Sequence, residues 1–257
     1  MTTSTTGASA TCTIDGRIAR IVLSRPASSN AIDMALAEDF RAAIDRVADD
    51  PHVQVVVLSG AGKNFCAGGD VRAMAAAPDT PAFLGDLAGK MHDALIVLDA
   101  LPVVVVAAVH GSVAGAGLGL VLAADLVVAG ISSKFTAAYS GVGLSPDCGV
   151  SALLPTVVGV RRAADMLLCN RVITAVEALD WGLISELVED EQLGARVDEL
   201  AAALMETPAP ALGQTRRLIR TATSDALSAR LHDEAASIVE VSTSVEARER
   251  IARFIRR

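Results

Sequence analysis

The sequence predicts an α/β fold, in which strands and helices alternate along the chain. Two uncharged apolar runs, "VQVVVLSG" at 53–60 and "VVVVAAV" at 103–109, predict buried strands, and each leads through a glycine-rich turn into a helical pattern. After about residue 147 the strand signal weakens and helical patterns dominate. We therefore expect one folded unit with an α/β core and a mostly helical C-terminal portion.

The individual elements follow from hydrophobic spacing. The segment "CTIDGRIARIVLS" predicts a hairpin that turns at Asp15-Gly16, and the next apolar pattern predicts a helix over 33–49 capped by Asp33. A strand at 125–130 follows a short helix after the second glycine turn. Further helices are expected at 82–98, 149–169, 174–181, 190–206, 210–222 and 225–256. The expected division is a loose tail at 1–10, a core at 11–195 and a helical region at 196–257.

Composition excludes several classes of protein. A net charge of -8 and a pI near 5.0 argue against a general nucleic-acid binder, which needs a basic face. The four cysteines show no spacing typical of metal sites or disulfide frameworks, and the N-terminus lacks a secretory signal, so a cytoplasmic setting is expected. The uncharged stretch 101–124 is long enough to span a membrane, but Pro102, His110 and four glycines divide it, so we expect buried elements instead.

Two glycine-rich turns are the candidate site. "FCAGGD" and "HGSVAGAG" each follow an apolar strand, and neither matches a dinucleotide or phosphate-binding motif. The four histidines also stand alone, without the spacing of metal ligands. Exposed backbone N–H groups in two adjacent turns can stabilise a developing oxyanion. The alternative interpretation is that the glycines only permit tight turns and close packing.

These segments resemble the enoyl-CoA hydratase/isomerase (crotonase) family. The resemblance is carried by "FCAGGDV", "VVVVAAVHGSVAGAGLGLVLAADLVVA" and "FTAAYSGVGLSPDCG", in this order, and it extends from "IARIVLSRPASSNAID" to "SVEARERIARFI". It implies a spiral of ββα units, a C-terminal helical region used in trimer formation, and an acyl-coenzyme A (acyl-CoA) thioester as ligand. It further implies a homotrimer or dimer of trimers, active in fatty-acid metabolism, with no metal or redox cofactor.

Carried over by motif, the resemblance implies an oxyanion hole made by the backbone N–H groups of Gly69 and Ala116. The implied contacts to the nucleotide and pantetheine of coenzyme A are Arg25, Ala27, Ser28, Ala67, Gly68, Asp70 and Arg72. Basic residues of the last helix, Arg253, Arg256 and Arg257, are candidates for additional positive charge. Their alternative interpretation is ordinary solvated charge.

The family's hydratases use two glutamates that this sequence lacks. The matching positions are Gly119 and Tyr139, and neither can act as a carboxylate base. We interpret Tyr139 as a wall of the substrate pocket rather than as a hydrogen-bond donor. In "GLSPD", Asp147 stands where relatives that move a double bond or isomerise a ring epoxide carry their catalytic acid. Burial among apolar neighbours would raise its pKa toward the working range, and a nearby helix N-terminus would lower it.

The resulting hypothesis is an acyl-CoA double-bond isomerase, in which Asp147 moves a proton from C2 to C4 while the oxyanion hole stabilises the dienolate. A ring-epoxide isomerase is a close variant. The other role open to Asp147 is to cap the helix that begins near Gly149. Two alternative functions are a hydratase with another base and a non-catalytic acyl-CoA-binding protein.

Overall fold

Two β-sheets organise the molecule in a computed structural model that describes residues 7–256, without the side chains of residues 221–226. The strands are β1 (Ala10–Asp15), β2 (Ile18–Leu23), β3 (Val55–Gly60), β4 (Val104–Val109), β5 (Ser112–Ala114), β6 (Leu126–Gly130), β7 (Lys134–Thr136), β8 (Val172–Thr174) and β9 (Glu186–Val188). The large sheet has the order β1-β2-β3-β4-β6-β9, and only β1 and β2 pair in antiparallel fashion. The small sheet has the order β5-β7-β8.

Helices connect and cover these strands. They are α1 (Met34–Ala48), α2 (Val71–Ala76), α3 (Thr80–Ala100), α4 (Ala116–Leu122), α5 (Tyr139–Val142), α6 (Val150–Val158), α7 (Val160–Leu168), α8 (Ala175–Asp180), α9 (Leu193–Met205), α10 (Ala209–Ser242) and α11 (Val245–Ile255). The chain repeats strand, strand and helix: β1-β2-α1, then β4-β5-α4 and β6-β7-α5. In the last two repeats, the first strand joins the large sheet and the second joins the small one.

The large sheet is covered on both faces, which explains why its central strands are apolar throughout. Val56 and Val105 belong to the main core, together with buried residues of α1 and α3. Their neighbours Val55 and Val104 point to the opposite face and pack with Val197 and other residues of α9. Strands enclosed in this way hold the turns at their carboxyl ends in fixed positions.

The first half of the chain matches the sequence predictions closely. The hairpin β1-β2 turns at Asp15-Gly16, and the Asp33 carboxylate accepts a hydrogen bond from the Leu36 amide at 2.9 Å, capping α1 as expected. Strands β3, β4 and β6 and helix α3 also lie at the predicted positions. The segment 101–124 forms β4, β5 and α4, and among the described residues no helix is long and apolar enough to cross a bilayer.

Several predictions for the second half are wrong in detail. The single helix predicted over 149–169 is two helices, because Gly159, with a φ of 83°, separates α6 from α7. The break predicted near residue 223 is absent, and α10 continues to Ser242. The four three-residue strands were not predicted, because so few residues give no readable periodicity.

One predicted domain limit lies next to an observed element, and the other falls inside a helix. Residues 1–6 of the expected tail lie outside the described residues, and β1 begins at Ala10. The expected boundary between residues 195 and 196 falls inside α9, which packs on the large sheet. The next helix, α10, begins at Ala209, directly after Pro208, and contributes Leu227 and Leu231 to the main core.

A buried ion pair fixes α10 to the core. The Arg216 guanidinium is 4% exposed, and its Nε donates to Asp125 Oδ2 at 2.7 Å. Another nitrogen of Arg216 donates to the carbonyls of Asp99 and Leu101, at the end of α3, at 2.7 Å each. Asp125 also accepts from the Val105 amide of β4 at 2.8 Å. Because a buried charge requires a well-placed partner, these bonds define where α10 lies.

Candidate active site

The two glycine-rich turns lie side by side at the carboxyl ends of β3 and β4. The turns are joined by an isolated parallel pairing of Cys66 with Val113. The Cys66 amide donates to the Ser112 carbonyl at 3.2 Å, and the Ala114 amide donates to the Cys66 carbonyl at 3.0 Å. Gly69 lies three residues after Cys66, and Ala116 lies three residues after Val113. The backbone pairing therefore brings the two predicted oxyanion donors to matching positions in neighbouring turns.

Gly68 allows this close approach. Its φ is 89°, and a Cβ atom added to it would lie 2.8 Å from the Ala114 carbonyl oxygen and 3.3 Å from Gly115 Cα. A side chain at position 68 would thus push the turns apart and would also strain the backbone. The glycines here serve close packing, as the alternative interpretation held, and that packing also aligns the two amides.

The amides of Gly69 and Ala116 have no acceptor within residues 7–256. The neighbouring groups of the first turn are occupied, since the Gly68 carbonyl accepts from Ile32 and the Asp70 amide donates to the Ile32 carbonyl, at 2.7 and 2.8 Å. Ala116 is the first residue of α4, so its N–H lies before the helical hydrogen bonds begin. Two free N–H donors beside each other provide the groups that an oxyanion hole requires.

A cavity of about 290 Å³ opens beside the first turn. Its lining comprises Ala27, Ser28, Ser29, Ala31, Ala67, Gly69, Asp70, Val71, Arg72 and Phe254. Most residues predicted to contact coenzyme A therefore meet around one cavity. Phe254, on α11 and 55% exposed, was not predicted, because no local pattern in the sequence places it beside this cavity. Arg253 and Arg256 are exposed, and Arg257 lies outside the described residues.

Arg25 supports this cavity rather than lining it. Its guanidinium forms ion pairs with Asp33 at 2.9 Å and Asp70 at 3.1 Å, and it donates to the Ala31 carbonyl. Asp70 in turn accepts from the Arg72 and Ala73 amides, at 3.1 and 3.3 Å, and so caps α2. With its guanidinium held by two carboxylates, Arg25 connects the start of α1 to the first glycine turn.

Asp147 and Tyr139 form a hydrogen-bonded pair next to the second turn. The Tyr139 hydroxyl donates to Asp147 Oδ1 at 2.6 Å, and the tyrosine is buried. A Cβ atom added to Gly115 would lie 3.9 Å from Tyr139 Cζ, which places the phenol against the turn that carries the Ala116 amide. The expectation that Tyr139 is not a hydrogen-bond donor is therefore wrong, since its hydroxyl donates to Asp147. Its role as a wall of the substrate pocket stays a prediction.

The pKa values of this pair are set mainly by burial. Burial raises the pKa of Asp147, and the Tyr139 hydroxyl and the Cys148 thiol lower it in part by hydrogen bonding. Burial, followed by the charge of Asp147, raises the pKa of Tyr139 well above its ordinary value. Tyr139 consequently stays a protonated donor, while the raised pKa of Asp147 makes this carboxylate a stronger base than an exposed one.

Asp147 does not cap helix α6. The amides at the start of that helix are taken by Glu234 of α10, whose Oε2 accepts from Gly149 at 2.7 Å and whose Oε1 accepts from Ser151 at 2.8 Å. The Cys148 amide donates to His92 Nε2 at 2.9 Å. Glu234 was not predicted, because an acidic residue on a long helix gives no sign of its distant partner. With the capping role filled, the Asp147 side chain is available for chemistry.

The cysteines near the site are not poised as nucleophiles. Burial raises the pKa of Cys66 to about 12, and it also raises the pKa of Cys148 above its ordinary value. A thiol acts as a nucleophile through its thiolate, which burial disfavours. Within residues 7–256, no group of three or more His, Cys, Asp or Glu side chains is arranged to hold a metal ion.

Comparison with known proteins decides the family. The profile of the family "Enoyl-CoA hydratase/isomerase" matches residues 13–257, which is nearly the whole chain. The chain belongs to the enoyl-CoA hydratase/isomerase family. This confirms the resemblance noted in the sequence, and with it the crotonase-like α/β fold.

Individual members of the enoyl-CoA hydratase/isomerase family carry different names. The chain is 33% identical to a 1,2-epoxyphenylacetyl-CoA isomerase of Escherichia coli (strain K12), covering 94% of this chain and 93% of that protein. It is 34% identical to a probable enoyl-CoA hydratase of Rhodobacter capsulatus, covering 93% and 91%. The crystal structure of an enoyl-CoA hydratase from Mycobacterium avium subsp. paratuberculosis superposes with a TM-score of 0.88 at 30% identity, covering 97% and 96%.

Gly119, the position matched above by resemblance to a hydratase glutamate, has no room for a side chain. A Cβ atom added to it would lie 2.7 Å from Cys148 Cβ, because α4 packs directly on the segment that carries Asp147. The absence of a carboxylate here is therefore built into the packing. Placing one would displace Cys148 and, with it, Asp147.

We predict that Gly119→Glu destabilises the protein, by about 1–3 kcal/mol or more, because overpacking is added to the burial of a carboxylate. Gly89→Glu is the matched control, since the same substituent on α3 starts from a Cβ position with no atom within 4 Å. Chemical denaturation of both variants and of wild type measures the effect. Equal stability of Gly119→Glu and wild type would contradict the packing argument.

Proposed function

We propose that this protein moves the double bond of an enoyl-CoA from the 3 to the 2 position, with Asp147 as the base. The observation that carries the proposal is a half-buried carboxylate with a raised pKa, held by Tyr139 beside two adjacent turns whose amides are free. Glu234, the carboxylate that contacts the segment after Asp147, is less suited, since it is 5% exposed and both of its oxygens already accept hydrogen bonds.

The proposed reaction is a transfer of one proton within the substrate. The Asp147 carboxylate removes a proton from C2, and the electron pair of that C–H bond delocalises into the thioester carbonyl. The N–H groups of Gly69 and Ala116 stabilise the resulting dienolate oxygen, as an oxyanion hole does. The protonated Asp147 then delivers the proton to C4 while the double bond forms between C2 and C3. One carboxylate is sufficient, because the same group takes and returns the proton.

The remaining features of the site support an acyl-CoA substrate. The cavity next to Gly69 includes Arg72, which supplies positive charge for phosphate, and it extends to Phe254 of α11. The relative named a 1,2-epoxyphenylacetyl-CoA isomerase acts on a coenzyme A thioester by its name, and we extend that ligand class to this chain. A ring-epoxide isomerase is a variant that would use the same carboxylate and the same two amides.

We also propose that the chain assembles into a homotrimer or a dimer of trimers. Large apolar side chains are exposed on α6, α7, α8 and α10 of the isolated chain: Val157, Val160, Leu168, Val176, Leu179, Leu218 and Ile219. Val157 and Ile219 line one cavity of about 380 Å³ between α6 and α10. Apolar surface of this extent is typical of a subunit interface.

Replacing Asp147 tests the proposed base. We expect Asp147→Asn to lower kcat for isomerisation of a 3-enoyl-CoA by about 10²- to 10⁴-fold, the contribution typical of general acid–base catalysis. Affinity for a saturated acyl-CoA should change little, because asparagine has nearly the same shape. Asp198→Asn is the control, since Asp198 is exposed and pairs with Arg20 on the surface. Rates are followed by absorbance and by product mass.

Two outcomes of that experiment would reject the isomerase assignment. Addition of water to a 2-enoyl-CoA that survives replacement of Asp147 would indicate a hydratase with another base. Tight binding of acyl-CoA without turnover of the 2-enoyl, 3-enoyl or ring-epoxide thioester by wild type would indicate a non-catalytic binding protein.

The pH dependence of Tyr139→Phe provides an independent prediction. The Tyr139 hydroxyl lowers the pKa of Asp147 by donating to its ionised form, so its removal raises that pKa further. Because the base must be ionised, kcat/KM falls as the pH drops through this pKa. We expect the fall to occur at higher pH in Tyr139→Phe than in wild type, as measured by kcat/KM profiles. An unshifted profile, or a shift to lower pH, would contradict the assignment.

A further inference from the structure

Glu234 is a buried carboxylate to which the proposed reaction gives no role. It lies on α10 and is 5% exposed. Its Oε2 accepts from the Gly149 amide, and its Oε1 accepts from both the amide and the hydroxyl of Ser151. All three donors belong to the short segment that follows Asp147. The contact spans 85 positions of sequence between Gly149 and Glu234, so only the tertiary fold creates it.

The segment after Asp147 has a backbone that needs external support. Cys148 and Gly149 have φ values of 53° and 77°, and for a cysteine this left-handed conformation is unfavourable. The Cys148 amide donates to His92 of α3, and the Val150 amide donates to the Asp147 carbonyl at 3.1 Å. Together with the two bonds to Glu234, four consecutive amides from residue 148 to residue 151 have acceptors.

Helix α10 holds this segment along one face. Ser237, three residues after Glu234, donates from its hydroxyl to the Ser145 hydroxyl at 3.0 Å. Leu227 and Leu231 lie on the other side of Gly149, within 3.7 Å of the position that a Cβ atom would take there. Since Arg216 fixes the same helix to Asp125, α10 connects a rigid part of the core to both sides of Asp147.

We propose that Glu234 is a positioning residue that keeps the Asp147 carboxylate on Tyr139 and directed at the substrate. The inference rests on the proposed function, and it assigns to α10 a part in catalysis besides its part in assembly. Glu234 does not touch the substrate; it acts by holding the amides of Gly149 and Ser151. Loss of one acceptor lets the turn relax, and the carboxylate that precedes the turn moves with it.

The test compares Glu234→Gln with Glu240→Gln, which removes an exposed charge from the same helix. We expect Glu234→Gln to lower kcat on a 3-enoyl-CoA by roughly 10- to 100-fold, since a misplacement of about 1 Å can cost ~10²-fold. KM and the affinity for a saturated acyl-CoA should stay close to wild type. Ser151→Ala, which removes only the hydroxyl contact, should give a smaller effect in the same direction and serves if Glu234→Gln fails to fold.

A spectroscopic readout separates positioning from general destabilisation. Tyr139 is the single tyrosine of the chain, so the tyrosine bands of the ultraviolet resonance Raman spectrum report its hydrogen bond to Asp147. We expect these bands to shift in Glu234→Gln and in Asp147→Asn and to stay unchanged in Glu240→Gln. An unchanged spectrum together with wild-type kcat in Glu234→Gln would overturn the proposal, as would a raised KM at constant kcat.

The Raman comparison tests the role of Glu234 without requiring the proposed isomerase activity. If wild type fails to isomerise any enoyl-CoA, the proposed function is rejected while the Raman comparison still decides whether Glu234 places Asp147 on Tyr139. A shift confined to Glu234→Gln and Asp147→Asn supports the placement in that case, and its absence rejects it.

Discussion

The close backbone contact between the turns that follow β3 and β4 is the constraint on which the site depends. Gly68 lies against Ala114 and Gly115, and the Cys66–Val113 pairing fixes the register of the two turns. Because β3 and β4 are parallel neighbours and are covered on both faces, their carboxyl ends hold the two turns in contact. The free amides of Gly69 and Ala116 are a consequence of that register, and donors fixed before the substrate arrives need no reorganisation during reaction.

The carboxylate is held by a second set of contacts that approach from the other side. Helix α4, which begins with Ala116, packs through Gly119 on Cys148, and Tyr139 links the second turn to Asp147. From the far side, α3 and α10 supply His92 and Glu234. Burial lowers the pKa of His92 to about 4, so its Nε2 stays neutral and can accept the Cys148 amide. Thus the same packed core positions the two amides and the carboxylate to which we assign oxyanion stabilisation and proton transfer.

Sequence patterns predict the parts of this structure that depend on local spacing. The strands β3 and β4 have uninterrupted apolar runs, Asp33 caps α1, and the two glycine turns are visible as motifs. The oxyanion amides and Asp147 could be assigned only through family resemblance, because a backbone N–H leaves no trace in the sequence. Glu234 and the Arg25–Asp70 ion pair depend on tertiary contacts across 45 to 85 positions, and Phe254 depends on the shape of a cavity, so no local pattern indicates them. Gly159 could have indicated the break between α6 and α7. The break was not predicted, because the apolar pattern continues on both sides of this glycine.

The structure of the protein bound to a non-reactive acyl-CoA analogue tests the central claim most directly. The account predicts a thioester oxygen about 2.7–3.1 Å from the amide nitrogens of both Gly69 and Ala116. It also predicts an Asp147 carboxylate oxygen about 3–3.5 Å from C2, the separation of reacting atoms in a productive complex. A bound thioester whose oxygen contacts neither amide, or an Asp147 carboxylate turned away from C2, would contradict it.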